Sequence, residues 1–404
     1  MLKWVTDRVF PSEPATGRLG SVDFNLWLAQ IVGVPLNGMR GEARWVQIVA
    51  LIYGLPVLLF VAIIYCGCEL YDLLLNLHSL NIFTQNICLS LTRLAGLFKI
   101  SNTFYCYADI KYIIEQFREM TKRYVQSTKQ KRAFDRGEFA NKVPLMIYSI
   151  LVSFTGFLGM WMLIRNPIDV AGKVFPFRVY MPLWLPNGIK LAYMSFSVII
   201  SALQIVAIDY LNITLMNQIC LQLQILNLTF DELLPLDINP LDEKSCEPDP
   251  NMTLRAAIKH HCELRALGLH IEMVYRTPVL IQFVASLVIF GVTGFQAIVT
   301  PAGSNGAVLI YFYCGCIFCE LFLYCWFGNE VHEQSKTLAS SAFSAPWYRF
   351  DRTYQKSLLI FITNAQKPFL FTAGSFMGLS LPSFAGILSK SYSFIAVLRQ
   401  VYSK

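Results

Sequence analysis

The chain has 404 residues, 55% of them hydrophobic and only 15% charged, with a formal net charge of +7 and a mean hydropathy of +0.48. That balance excludes an ordinary water-soluble domain and points to an integral membrane protein. The positive charge then bears on orientation in a bilayer rather than on nucleic acid. Residues 1–44 show no continuous apolar core ahead of a small-residue cleavage site, so the first crossing segment is expected to act as the address.

Apolar stretches long enough to cross a bilayer fall at Trp45–Tyr65, Ser79–Phe98, Val143–Ile164, Gly188–Asp209, Pro278–Thr300, Ala307–Phe327 and Leu379–Val401. Seven spans put the termini on opposite sides. Lys and Arg decide which: the side holding the N-terminus carries 25, the other 6. The positive-inside rule therefore predicts a cytoplasmic N-terminus and an extracellular C-terminus. The expected fold is an all-α integral membrane protein with a helical cytoplasmic anchor region. It divides into an N-terminal arm (1–44), a six-span ligand-binding bundle (45–327), an anchor segment (328–378) and a seventh span (379–404). G-protein-coupled receptors, an alternative reading, place the N-terminus outside, and the usual Asp-Arg-Tyr and Asn-Pro-x-x-Tyr signatures are absent here. The sequons at Asn212, Asn227 and Asn251 offer a check, since a cytoplasmic N-terminus should leave them bare.

The connecting segments differ by side. Thr253–Thr277 sets Leu264, Leu267, Ile271 and Val274 on one narrow face, and Trp347–Phe361 continues in the same manner. Such faces pack either on their own subunit or between subunits. On the other side, Arg165–Asn187 interleaves four prolines with aromatics, predicting a compact cap that could serve as a lid. Phe230–Pro250 is acidic and Pro-rich and reads as a linker. Cysteines sit mostly in or beside spans and are expected to behave as small hydrophobes rather than as a disulfide framework.

Catalytic signatures are missing: there is no phosphate-binding Gly loop, no His-Glu-x-x-His and no nucleophile elbow, so no enzyme is expected. Cys316 and Cys319 form a C-x-x-C, but inside a span packing is the better reading. His260 and His261 are expected to be interfacial or exposed rather than metal ligands. Charges inside spans need partners, and Arg93 is expected to pair with Glu320 at similar depth. A ligand pocket needs apolar walls with few polar anchors. Candidates by depth are Ile82, Phe83 and Asn86; Ser153, Phe157 and Trp161; Tyr193, Met194 and Ser197; and Tyr311 and Phe312.

The tail carries the strongest signal. Ala365-Gln366-Lys367-Pro368, Thr372-Ala373-Gly374, Ser380-Leu381 with Phe384, Ile387-Leu388 followed by Ser391-Tyr392-Ser393-Phe394, and Val397-Leu398 stand in sequence. This pattern resembles the C-terminal signature of the insect odorant receptors, in particular an odour-tuning subunit. The resemblance implies a small volatile odorant bound among four helices. It also implies a non-selective cation channel formed as a heterotetramer with the odorant co-receptor, and a place in the plasma membrane of olfactory sensory neuron dendrites. It implies a pore constriction at Val397 and Val401 with Gln400 beside it; by spacing alone, two valines four residues apart merely share a helix face. Lys390, about two turns deeper, is expected off the axis or in a wet cytoplasmic vestibule. A gustatory-type channel working without the co-receptor is the nearest alternative. No cofactor or metal is implied.

Overall fold

A computed structural model describes residues 19–36, 39, 44–78, 80–165, 179–182, 184–232, 250–299 and 305–402. Most of the expected cap and the acidic linker lie outside these. The described residues form helices throughout, apart from one short hairpin. In chain order these are α1 (Gly20–Ile31), α2 (Arg44–Val57), a π-helical stretch (Leu58–Ile64), α3 (Tyr65–Leu75), α4 (Leu80–Tyr105), α5 (Tyr107–Tyr124), α6 (Thr128–Arg165), α7 (Asn187–Asp231), α8 (Pro250–Val299), α9 (Asn305–Ser344), α10 (Arg352–Ala365) and α11 (Leu381–Tyr402).

Five helical stretches among the described residues are long and apolar enough to cross a membrane: Arg44–Leu75, Thr128–Met162, Asn187–Asp231, Pro250–Ile298 and Gly306–Arg349. The second and seventh expected spans fall on α4 and α11, which are diluted by polar residues such as Arg93 and Lys390. The first span is not a uniform helix. Pro56 supplies no N–H to the helical ladder, and the π-helical stretch follows two residues later.

Four helices far overrun the bilayer thickness. α6, α7, α8 and α9 have 38, 45, 50 and 40 residues, against about 20 needed to cross. Their surplus projects at one end, with α1, α5 and α10, and forms an anchor end. The opposite, loop end holds the connections 166–186 and 300–304. The amphipathic face read from the sequence runs without a break into the fifth span, through Pro278, and Leu264, Leu267, Ile271 and Val274 are all buried within this one chain.

α7 is the axis of the anchor end. Its residues 206–223 are buried on every side of the helix, which an isolated amphipathic helix never shows. The segment is therefore packed all round, and polar residues along this part of α7 reach several neighbours. Gln204 donates to the Val32 carbonyl at 2.9 Å. Thr214 accepts from Asn25 of α1 at 2.6 Å. Gln218 donates to Glu138 of α6, Gln222 to Thr121 of α5 at 3.0 Å, and Asn227 to the Gln334 carbonyl of α9 at 3.3 Å. The N-terminal arm is thus part of the bundle from residue 19 onward. Its exit turn passes the first span at Gly33, whose φ is +84° and where a Cβ would lie 2.7 Å from Val57 Cγ1. Only glycine meets both demands.

Between α10 and α11 the chain departs from the all-helical expectation. Thr372–Ala373 pairs antiparallel with Met377–Gly378, and Gly374 and Ser375 turn between them at φ 62° and 67°. The hairpin docks on α8 where the Gly374 N–H donates to the Arg276 carbonyl at 3.0 Å.

Candidate functional site

A cavity of about 160 Å³ lies within the spans. Leu89 and Thr92 of α4, Val152 and Gly156 of α6, Val198, Ala202 and Ile205 of α7, and Leu309, Ile310 and Tyr313 of α9 make its walls, and Thr293 and Gln296 of α8 reach it near the loop end. Along α9 the lining recurs at 306, 309, 310, 313, 316, 317 and 320, one helical face about 21 Å long at 1.5 Å per residue. The space is a slot, apolar in its middle and ending on charge.

That charged floor is built from two ion groups. Arg93 Nε meets Glu69 of α3 at 2.8 Å, its Nη1 donates to Ser201 at 2.9 Å, and its guanidinium lies 4.3 Å from the centre of the Tyr65 ring. Lys99 Nζ meets Asp209 at 2.6 Å and Glu320 at 2.8 Å, and Tyr324 donates to Asp209 at 2.8 Å. The expected Arg93–Glu320 pair therefore does not form. Each residue is matched by a closer partner that depth alone did not indicate: Glu69 on the first span, and Lys99 one helical turn and a half beyond Arg93 on α4. Both Arg93 and Glu320 nevertheless border the cavity.

None of the eleven pocket candidates lies in the cavity lining. Ser153, Phe157 and Tyr311 are exposed on the outside of the bundle. Phe312 tilts against Phe154, with centroids 4.9 Å apart, and Trp161 lies under the Arg165 guanidinium at 4.6 Å. Tyr193 packs edge-on to Tyr65 at 5.8 Å, and Met194 is buried in the same small cluster. Ser197 is buried on α7, and Phe83 is half-buried on α4; Asn86 donates to Asp72 at 2.6 Å. Of Ile82 only the backbone is described. On α6, α7 and α9 the nearest lining residues, Val152, Gly156, Val198, Ile310 and Tyr313, sit one residue from a candidate, a rotation of about 100°, whereas on α4 the lining begins at Cys88, beyond all three candidates. Polar residues stranded in apolar spans were the better signal: Thr92, Thr155, Ser201, Thr293, Gln296 and Glu320 all line the slot.

α11 packs by one face on α8, where Gly291 and Gly294 sit directly against Phe394 and Ile395. Its other face carries Lys390 and Val397, both exposed, Val397 at 55%. Seven residues, nearly two full turns, separate them, so they share a stripe, with Gln400 exposed beside it. Lys390 thus aligns with Val397 rather than turning away from it. Val401 continues the helix by its backbone.

His260 and His261 are both buried. His260 stacks on Tyr124 with centroids 4.0 Å apart and shares a hydrogen bond with Gln222 Oε1 at 3.0 Å. Burial, with a lesser push from His261, drives its pKa down to about 3. His261 is held edge-on to Phe361 at 5.2 Å. Asn212 and Asn227 are buried too, so of the three sequons only Asn251 can report on topology. Cys316 Sγ lies 3.2 Å from Thr155 Oγ1, and the described cysteines are all free thiols.

A family model described as 7tm Odorant receptor matches residues 79–392. Odorant receptor 10 of Aedes albopictus is 36% identical over 96 residues, 24% of this chain and 26% of that protein. Odorant receptor 85c of Drosophila melanogaster is 24% identical over 267 residues, 64% of this chain and 66% of that protein. The match to the mosquito protein thus spans about a quarter of its length. The insect olfactory receptor OR5 from Machilis hrabei, solved in complex with eugenol, aligns with a TM-score of 0.81 and 17% identity, covering 94% of this chain and 97% of that one. The same receptor solved without mention of a ligand aligns equally well, at 18% identity. These two likenesses bear on the fold alone.

Proposed function

The chain belongs to the 7tm odorant receptor family, and from that premise we propose that it is an odour-tuning subunit of an odorant-gated channel. It is a multi-pass membrane protein of that family's seven-helix fold. The anchor end is cytoplasmic in this reading, following the charge bias, and the loop end faces outward. The observation that carries it is the slot: a space of about 160 Å³ enclosed by the spans, close to the about 150 Å³ that accommodates one benzene ring in an engineered apolar cavity. A volatile compound would bind there by shape and dispersion. The relative solved with eugenol supports a ligand of that scale.

Gating is assigned to α11. Its stripe of Lys390, Val397 and, by spacing, Val401 is left uncovered by the rest of the subunit, and Gln400 adjoins it. Around an axis shared with co-receptor subunits, the valines would form a hydrophobic neck that excludes water until the helices part. Lys390 would then stand in the cytoplasmic vestibule below. The slot reaches α11 through α8, which contributes Thr293 and Gln296 to one and Gly291 and Gly294 to the other. Ligand opens the neck only by binding the splayed arrangement more tightly. Olfactory neuron dendrites are the corresponding site of action.

Excised patches from cells expressing the chain with and without the co-receptor, with nucleotide-free solution on the cytoplasmic face, test this. The expected result is a rapid cation current evoked by small volatiles, dependent on the co-receptor, with its unitary conductance altered by Val397→Ala. Responses in intact cells that vanish in the patch would overturn the channel reading, and current from this chain alone would overturn the need for a co-receptor.

A further inference from the structure

The slot is not uniformly apolar, and most of its polar groups are already committed to protein partners. Thr92 Oγ1 contacts the Cys88 carbonyl at 3.0 Å and the Tyr313 hydroxyl at 2.6 Å. Ser201 donates to the Ser197 carbonyl at 2.6 Å, Thr155 to Leu151 at 2.8 Å, and Thr293 to Ile289 at 2.6 Å. Arg93 and Glu320 are held in their ion groups. Gln296 is the exception. Its side chain is only 9% exposed, and its amide Nε2 is the one buried nitrogen or oxygen among the described lining side chains that has no hydrogen-bond partner.

A buried amide left without a partner costs roughly 1–3 kcal/mol, so a ligand that supplies one gains over a ligand that does not. Nitrogen of a primary amide only donates, which asks the ligand for an acceptor. The opposite end of the slot refuses a second kind of ligand. There both lining charges are already paired, Arg93 with Glu69 and Glu320 with Lys99, so an incoming carboxylate would lose its hydration without finding a free cation. The geometry points to Gln296 as a specificity-determining residue for uncharged ligands bearing a hydrogen-bond acceptor: a ketone, aldehyde, ester or ether on a short chain or single ring. This rests on the slot being the ligand site.

Four probes of matched chain length separate the possibilities: heptane, 2-heptanone, methyl hexanoate and hexanoate. Two readouts are used, thermal stabilisation of the purified full chain and evoked current with the co-receptor. The ketone and ester are expected to act at concentrations about tenfold below the alkane, with hexanoate weakest. Gln296→Leu should erase the tenfold preference while keeping the alkane response, which itself shows that the variant folds. Gln296→Met, which removes the donor while closely preserving shape, should weaken the ketone and ester and spare the alkane. Ketone preference that survives in Gln296→Leu, or wild-type protein that treats alkane and ketone alike, would overturn the assignment while leaving the slot as the site. Failure of all four probes to stabilise or activate the wild-type protein would instead overturn the slot as the ligand site, and the assignment with it.

Discussion

α7 passes through two unlike environments. From 206 to 223 it has no exposed residue, and its polar side chains are bonded to α1, α5, α6 and α8, whereas from 187 to 205 it alternates between buried and exposed positions and borders an open slot. The anchor end is specified by matched polar pairs in a dense core; the loop end is held by shape with space left over. A receptor needs both, because a cavity can be reshaped by substitution only where the fold does not depend on it. The difference teaches that stability and ligand choice are divided along one helix.

Breaking the comparison at its strongest point means removing Lys99. Lys99→Met leaves Asp209 and Glu320 buried beside each other, and breaking such a group costs about 3–5 kcal/mol. Thermal unfolding of the purified chain should show the loss, and Lys99→Met with Glu320→Gln should recover part of it. No loss would mean that the group is solvated and the floor of the slot is wet.

A matched pair of truncations asks the question directly. Ile213 is fully buried in the hub, while Ile205 borders the slot. Ile213→Ala should cost about 3 kcal/mol; Ile205→Ala should cost about 1 kcal/mol, since one side already lacks packing partners, and should shift the preferred ligand toward larger members of a homologous series. Equal costs would remove the distinction drawn here.

Acid probes the anchor end through His260. His260 titrates near 3 when folded and near 6.5 when unfolded. A depressed folded value means that the stability is present above pH 6.5 and is lost as the pH falls toward 3. The protein should be about 2 kcal/mol less stable at pH 5 than at pH 7.5 on this account. His260→Gln should flatten that slope, and an unchanged slope in the variant would assign the effect elsewhere. The smallest expected effect is on Gly291, whose Cβ in Gly291→Ala would press on Phe394 of α11. Stability should change by less than about 1 kcal/mol if the ring swings aside, while open probability shifts because α11 is displaced.

Spans and their number were legible in sequence because hydropathy and length decide them. The face each span turns inward was not, since helices that are apolar on all sides carry no periodic mark of rotation. Hence Ser153 was named where Val152 and Gly156 line the slot, and Tyr311 where Tyr313 does. The stranded polar residues held that information, because a buried polar group must find a partner and so turns inward. The Arg93–Glu320 pairing failed for a related reason: residues at matching depth on two helices need not share an azimuth. His260 is expected at an interface or exposed, yet it is buried, because its partners, Tyr124 and Gln222, lie far away in sequence. The hairpin after α10 was marked only by the Thr-Ala-Gly-Ser run, which reads as punctuation until Gly374 and Ser375 are seen in the left-handed region.

The polar ladder on α7 also sets an order of assembly. Its bonds to Asn25, Val32, Thr121 and Glu138 join it to segments made earlier, so these can close as soon as α7 is complete. Those to His260, Tyr324 and Gln334 require helices not yet synthesised. Until residue 334 has emerged, the nascent chain holds a half-zipped hub, with Asp209 and Gln222 each short of one partner and Asn227 open to whatever chaperone or translocon surface stands in for α8 and α9.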